Sequence, residues 1–186
     1  SQCREPDSTH YRRRAVAGTP HVGFSEYLTF APLSARENPG TEPQRCDRPP
    51  LSRIPFHYVL NAAYDHLVDW VEDGTAPPKA PRLRWDDALT ASRDEHGNQL
   101  GGIRLAEHEV ATALNHGDNT GDPFCFLQGT HVPFEEETLR DLYPRRGGYV
   151  SQVNRAVNQA RHAGYLLSED ARDSRLAALR ADHPWW

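Results

Sequence analysis

With 186 residues, 37% of them hydrophobic, the chain is long enough to bury one core and short for two independent ones. Its net charge of −5, with no basic stripe carrying interleaved aromatics, argues against nucleic acid as a partner. No apolar run has the length of a membrane span, and no signal-peptide hydrophobic region is present.

Ser1 to Thr9 is polar and reads as a leading loop. Tyr11 to Val16 reads as a short strand whose arginines suit a sheet edge better than a strand buried on both faces. Gly18 gives the following turn backbone freedom and Pro20 fixes φ, so His21 leaves the strand at a defined angle. Phe24 to Pro50 contains Pro32, Pro39, Pro43, Pro49 and Pro50 with little periodicity, which predicts a long irregular loop. Such loops are commonly functional or ordered by a partner.

From Pro55 to near Asp73 the spacing of Leu60, Ala63, Tyr64, Leu67, Val68 and Val71 predicts an amphipathic helix. Gly74 suits its C-cap, and Pro77 and Pro78 prevent continuation. Ala80 to Pro133 is extended and turn-rich, with alternation at Arg82–Trp85, a turn at His96-Gly97-Asn98, and Gly101-Gly102 before Ile103. That predicts two to four short strands. Helices follow over Glu135 to Tyr143 and Gly148 to Ala163, the second with an apolar face of Tyr149, Val150, Val153, Val157 and Ala160. Ser168 is placed to cap a last helix that carries Leu176 and Leu179 inward. The paired Trp185 and Trp186 are expected to pack on a groove.

Few patterns carry chemistry. His21, on a loop past a strand end, is either surface polarity or the kind of imidazole a hydrolase uses as base. The nucleophile elbow Gly-x-Ser-x-Gly is absent; Gly23-Phe-Ser25-Glu-Tyr27 imitates it without the second glycine. Of the carboxylates before His21, Asp7 reads as a turn former and Glu5 as a loop residue. His108-Glu109 starts like a zinc-protease helix, but Thr112 stands where the second histidine would be needed. Asp118-Asn-Thr-Gly-Asp122 offers oxygens at close spacing without the glutamate of a calcium loop, so an ordinary polar turn is the plainer reading. His57 and His66 share the main helix nine positions apart and do not pair on one face, so each reads as a packing or solvated histidine. No phosphate loop, dinucleotide fingerprint or Cys-x-x-Cys occurs, so neither a metal nor another cofactor is expected.

The run Pro6-Asp7-Ser8 … Ala17-Gly18-Thr19-Pro20-His21 resembles the final strand and catalytic-histidine loop of a bacterial family of α/β-hydrolase domain-containing proteins. The likeness continues through His57-Tyr-Val-Leu-Asn-Ala-Ala63, Trp70-Val-Glu-Asp-Gly-Thr-Ala-Pro-Pro78, Arg93-Asp-Glu-His-Gly-Asn98, Leu100-Gly-Gly-Ile-Arg104, Phe124-Cys125-Phe126 and Val132-Pro-Phe134. The chain departs from the pattern near Ala15, where an acidic residue is expected.

The resemblance implies an α/β fold: the C-terminal portion of a hydrolase (last strand, histidine loop, last helix) with an irregular β-containing extension and C-terminal helices. Residues 1–78 would be the core part, and 79–186 the extended segment and helical extension packed on it. It implies that His21 is the catalytic base of a serine hydrolase acting on a small-molecule ester, less readily an amide. Chain order in that fold is nucleophile, acid, histidine, so the serine and the acid would lie in an upstream part acting as partner. The sequence contains no methionine, which agrees with the expectation of a processed or truncated piece. The rival is a non-catalytic binding or assembly subunit that keeps the architecture. Cys46 and Cys125 fall where the likeness is good and would be linked in an exported protein, secreted or periplasmic, leaving Cys3 apart. In a cytosolic protein all three would be buried thiols.

Overall fold

The computed structural model describes residues 6–40, 42, 44–88 and 90–182. The expectations for Cys3, Glu5 and the two terminal tryptophans lie outside them. Helix α1 spans Phe24–Glu37, α2 Phe56–Asp73 and the short α3 Ala106–Glu109. Strand β1 (Ala113–His116) and strand β2 (Thr130–Pro133) flank α4 (Cys125–Gln128), and α5 (Glu136–Leu142), α6 (Arg146–His162) and α7 (Ser168–Arg180) complete the order. The two strands pair antiparallel with Leu114 opposite Val132 and Asn115 opposite His131. Elsewhere between 83 and 101 the chain folds back on itself through single bridges, Leu83 to Gly101, Trp85 to Ala91 and Arg93 to Gln99.

The core gathers on α6. Its buried Tyr149, Val153, Ala156, Val157 and Ala160 recur at helical spacing and pack against α3 and α7. α7 turns in Ala171, Ser174 and Ala178, small residues that let the two helices approach closely. Val16, Ile54, Val59, Ile103 and Leu105 belong to the same buried cluster. Burial of each large aliphatic side chain stabilises by about 1.5–3 kcal/mol. α2 ends where Gly74 takes a left-handed conformation and its N–H bonds the Asp69 carbonyl. His66 Nε2 lies 3.0 Å from the Gly164 carbonyl, tying α2 to the end of α6.

Four expectations are corrected. The stretch read as one irregular loop from Phe24 to Pro50 begins as the 14-residue α1. Pro32 sits inside that helix on the surface, where water can satisfy the carbonyl left without a donor. The strand expected at Tyr11–Val16 reduces to one parallel bridge, Val16 to Ile103, in which Ala17 N–H bonds the Ile103 carbonyl and Ile103 N–H the Ala15 carbonyl. Its arginines work sideways instead: Arg12 donates to the Pro77 carbonyl and lies over the Trp70 ring. The helix expected at Pro55–Asp73 is present, yet it buries Val59 and Ala62 and leaves Leu60, Tyr64, Leu67, Val68 and Val71 exposed. No sheet among the described residues covers that stripe. Leu179, expected inward, is 48% exposed because Ala171, Ser174 and Ala178 take the α6-facing positions.

Arg14 stands out for its burial. Its Nη1 and Nη2 are both buried without a hydrogen-bond partner, close to the Tyr165 ring, and desolvation pulls its pKa down. Arg14→Met should keep the packed stem and remove the buried charge, stabilising by about 1 kcal/mol and raising Tm by roughly 2–4 °C. A fall in Tm of that size would show that the guanidinium is supported after all.

Candidate active-site loop

Residues 17–24 carry the histidine singled out by the sequence, and the chain holds this segment from several sides. Gly18 has φ of 75°, and a Cβ there would meet His108 Nδ1 at 2.7 Å and the Asn115 carbonyl at 3.0 Å. Only glycine fits both demands. The Gly18 carbonyl accepts the buried Ser52 hydroxyl at 2.6 Å, and the Thr19 hydroxyl donates to the Val16 carbonyl at 2.9 Å. Past the histidine, Val22 N–H bonds the Leu127 carbonyl at 2.7 Å and Phe24 N–H the Ser52 carbonyl at 2.9 Å. Gly23 N–H donates to Glu26 Oε2 at 3.0 Å, a carboxylate reaching back over the first turn of α1. His21 itself is exposed at the crest. Among the described residues no carboxylate stands within ion-pair distance of its imidazole.

Beneath the loop lies a buried polar hub. Asn115 Oδ1 accepts from Arg53 N–H at 3.0 Å and from His131 Nδ1 at 2.9 Å, while its own N–H donates to Asn98 Oδ1 at 2.9 Å. Every one of these groups would be costly if left unpaired, so the hub fixes the register of β1 and β2 under the loop. His108 Nε2 donates to the Gln99 carbonyl at 2.8 Å, which leaves Nδ1 bare against Gly18. Burial lowers the pKa of His108, His116 and His131, the last to about 4 with the Arg53 charge adding to the effect.

Cys46 and Cys125 are joined by a disulfide, as expected for an exported chain. The bond holds α4, whose Leu127 carbonyl braces Val22 and whose Gln128 carbonyl accepts from Leu51 and Ser52. The polar turn at Asp118–Asp122 is used up in stitching this region together. Asn119 Nδ2 donates to the Arg48 and Gly129 carbonyls, the Thr120 hydroxyl to Asp47, and Asp122 accepts from Arg45 N–H.

The other candidates fall apart from His21. Asp7 accepts from Arg13 N–H at 3.0 Å, a bond across six positions rather than the local turn expected. Ser25 lies in the first turn of α1, with no hydrogen bond between its hydroxyl and His21 among the described residues. Glu109, next to His108, pairs with Arg104 at 3.0 Å. Among the described residues no group of three or more His, Cys, Asp or Glu side chains is placed to hold a metal ion. Sequence reasoning missed Ser52, Asn98, Asn115 and Glu26 as loop supports. Only Asn98 carried a signal, its place in a His-Gly-Asn turn.

A family model described as alpha/beta hydrolase domain matches residues 1–175. No curated protein and no solved structure matches the chain.

Two outcomes follow from the loop's supports. Reducing the disulfide, or replacing it with Cys46→Ser and Cys125→Ala, should lower stability by about 2–5 kcal/mol. A reduced protein that melts with the oxidised one would contradict this. For His131 the folded pKa lies below the ordinary value of 6.5, so its contribution is full above that pH and is lost as pH falls from 6.5 toward about 4. Burial raises the pKa of Glu107, which opposes this trend but equally in both proteins compared. The drop in Tm between pH 7 and pH 5 should therefore be smaller in His131→Asn than in the unmodified chain. An unchanged drop would mean that His131 is not held neutral.

Proposed function

The chain belongs to the α/β-hydrolase domain family, and we propose from that membership that it is the part of a serine hydrolase supplying the catalytic histidine, His21, for cleavage of a small-molecule ester. The observation that carries this reading is an imidazole left exposed at the crest of a loop that is otherwise tied down on both sides. A general base needs that combination: a fixed position and a free ring nitrogen. In the reaction a serine hydroxyl attacks the acyl carbonyl while His21 takes its proton, and His21 then returns that proton to the departing alcohol.

The serine and the orienting acid come from an upstream part of the same hydrolase, since this sequence holds no nucleophile elbow. Two apolar faces support such a partner. α1 buries no side chain and exposes Tyr27, Leu28, Phe30 and Leu33, and α2 exposes Leu60, Tyr64, Leu67, Val68 and Val71. Contiguous exposed apolar surface marks an interaction site. Residues 1–78 would complete the hydrolase core against that partner, with 79–186 as the extension. The disulfide favours a secreted or periplasmic setting. No helix among the described residues is long and apolar enough to cross a membrane. A non-catalytic assembly subunit is the rival, favoured by the lack of a described carboxylate beside His21.

The test is ester turnover by the complete protein with its upstream part. His21→Ala should fold normally by circular dichroism and lose activity by on the order of 10³-fold or more. A folded His21→Ala protein with near-full turnover would remove His21 as base.

A further inference from the structure

Glu26 uses its two carboxylate oxygens in different directions. Oε2 accepts the Gly23 N–H at 3.0 Å, two residues beyond His21. Oε1 faces His57 Nδ1 at 3.6 Å. Oε1 and Nδ1 are both buried, and among the described residues neither has a hydrogen-bond partner, so each stands beside a group of the opposite need. The His57 ring also makes an edge contact with the Tyr58 ring, at 4.5 Å between centroids. The carboxylates of Glu107 and Asp170, from α3 and α7, also act electrostatically on its imidazole.

We propose that Glu26 and His57 form a positioning pair that ties the His21 loop to α2. The imidazole turns Nδ1 toward Glu26 Oε1, where an N–H would be drawn by the carboxylate charge. The carboxylate so fixed can hold the Gly23 amide in one place, and through it the exit of the His21 loop. α1 has no buried side chain to hold its start in position, so the tie to α2 supplies what packing does not. Neither residue is a catalytic residue. The proposal rests on His21 being the base, and it predicts an effect on the rate of the bound complex rather than on substrate affinity.

Amide hydrogen exchange at Gly23 reads the tie without requiring any activity. In the complete protein His57→Ala should speed Gly23 exchange by about tenfold or more. It should lower kcat by roughly 10- to 100-fold with KM little changed, as a displaced catalytic group does. His57→Asn, which places an amide N–H where Nδ1–H stands, should restore both. If His57→Ala does not fold, His57→Phe fills the space without a donor and reads the same quantities. Unchanged Gly23 exchange overturns the pair. Faster exchange with unchanged kcat, in a protein that His21→Ala inactivates, overturns its role in positioning. Should His21→Ala stay active, the hydrolase assignment fails, and Gly23 exchange alone still upholds or overturns the tie.

Discussion

The close approach at Gly18 governs the rest of the site. There the backbone turns with positive φ directly against a bare histidine nitrogen and a strand carbonyl, leaving no room for a side chain. Because Gly18 passes so near, Ser52 can reach its carbonyl, the Asn115 hub can sit beneath it, and the chain can leave the fold at His21. Loop, hairpin and disulfide are mutually dependent. Any residue larger than glycine at this point would displace His108 or β1, and with them the alignment of the loop.

Beneath the loop the buried histidines act as neutral groups. His108, His116 and His131 are all pushed toward the uncharged form by burial, and each engages a carbonyl or amide oxygen through a ring nitrogen. A charged imidazole in this hub would need desolvating and would face Arg53 or Arg93 nearby. The exposed His21 is the contrast. Its ring is left to solvent while its neighbours along the chain are bonded. A fixed backbone below a solvent-facing imidazole suits proton transfer better than structural bonding.

How much the sequence revealed depended on whether one local signal decided each element. α2 and α6 each showed apolar residues at helical spacing, and both, with the shorter α5 and α7, formed within a few residues of expectation. α1 was hidden because a proline inside a helix and a loop proline look alike without knowing that the helix lies on the surface. The strand at Tyr11–Val16 shrank to a single bridge because strand formation depends on a pairing partner, which local composition does not report. The α2 stripe was legible as apolar but not what covers it, since amphipathicity states a need for burial and not what meets it. At the site, His21 and the Gly18 turn were legible from residue type alone. Ser52, Asn115 and Glu26 act across 34, 97 and 5 positions from Gly18 or His21, and the longer of these separations exist only in the folded chain.

The central claim is that the exposed imidazole of His21 carries the reaction. Chemical modification tests it without altering the sequence. The complete protein, treated with diethyl pyrocarbonate and sampled over time, would be assayed for ester turnover and mapped for modified histidines by mass spectrometry. The account predicts that activity falls in step with modification of His21, that a bound product analogue slows both, and that hydroxylamine restores both. Full modification of His21 with turnover intact, or loss of turnover with His21 unmodified, would contradict it.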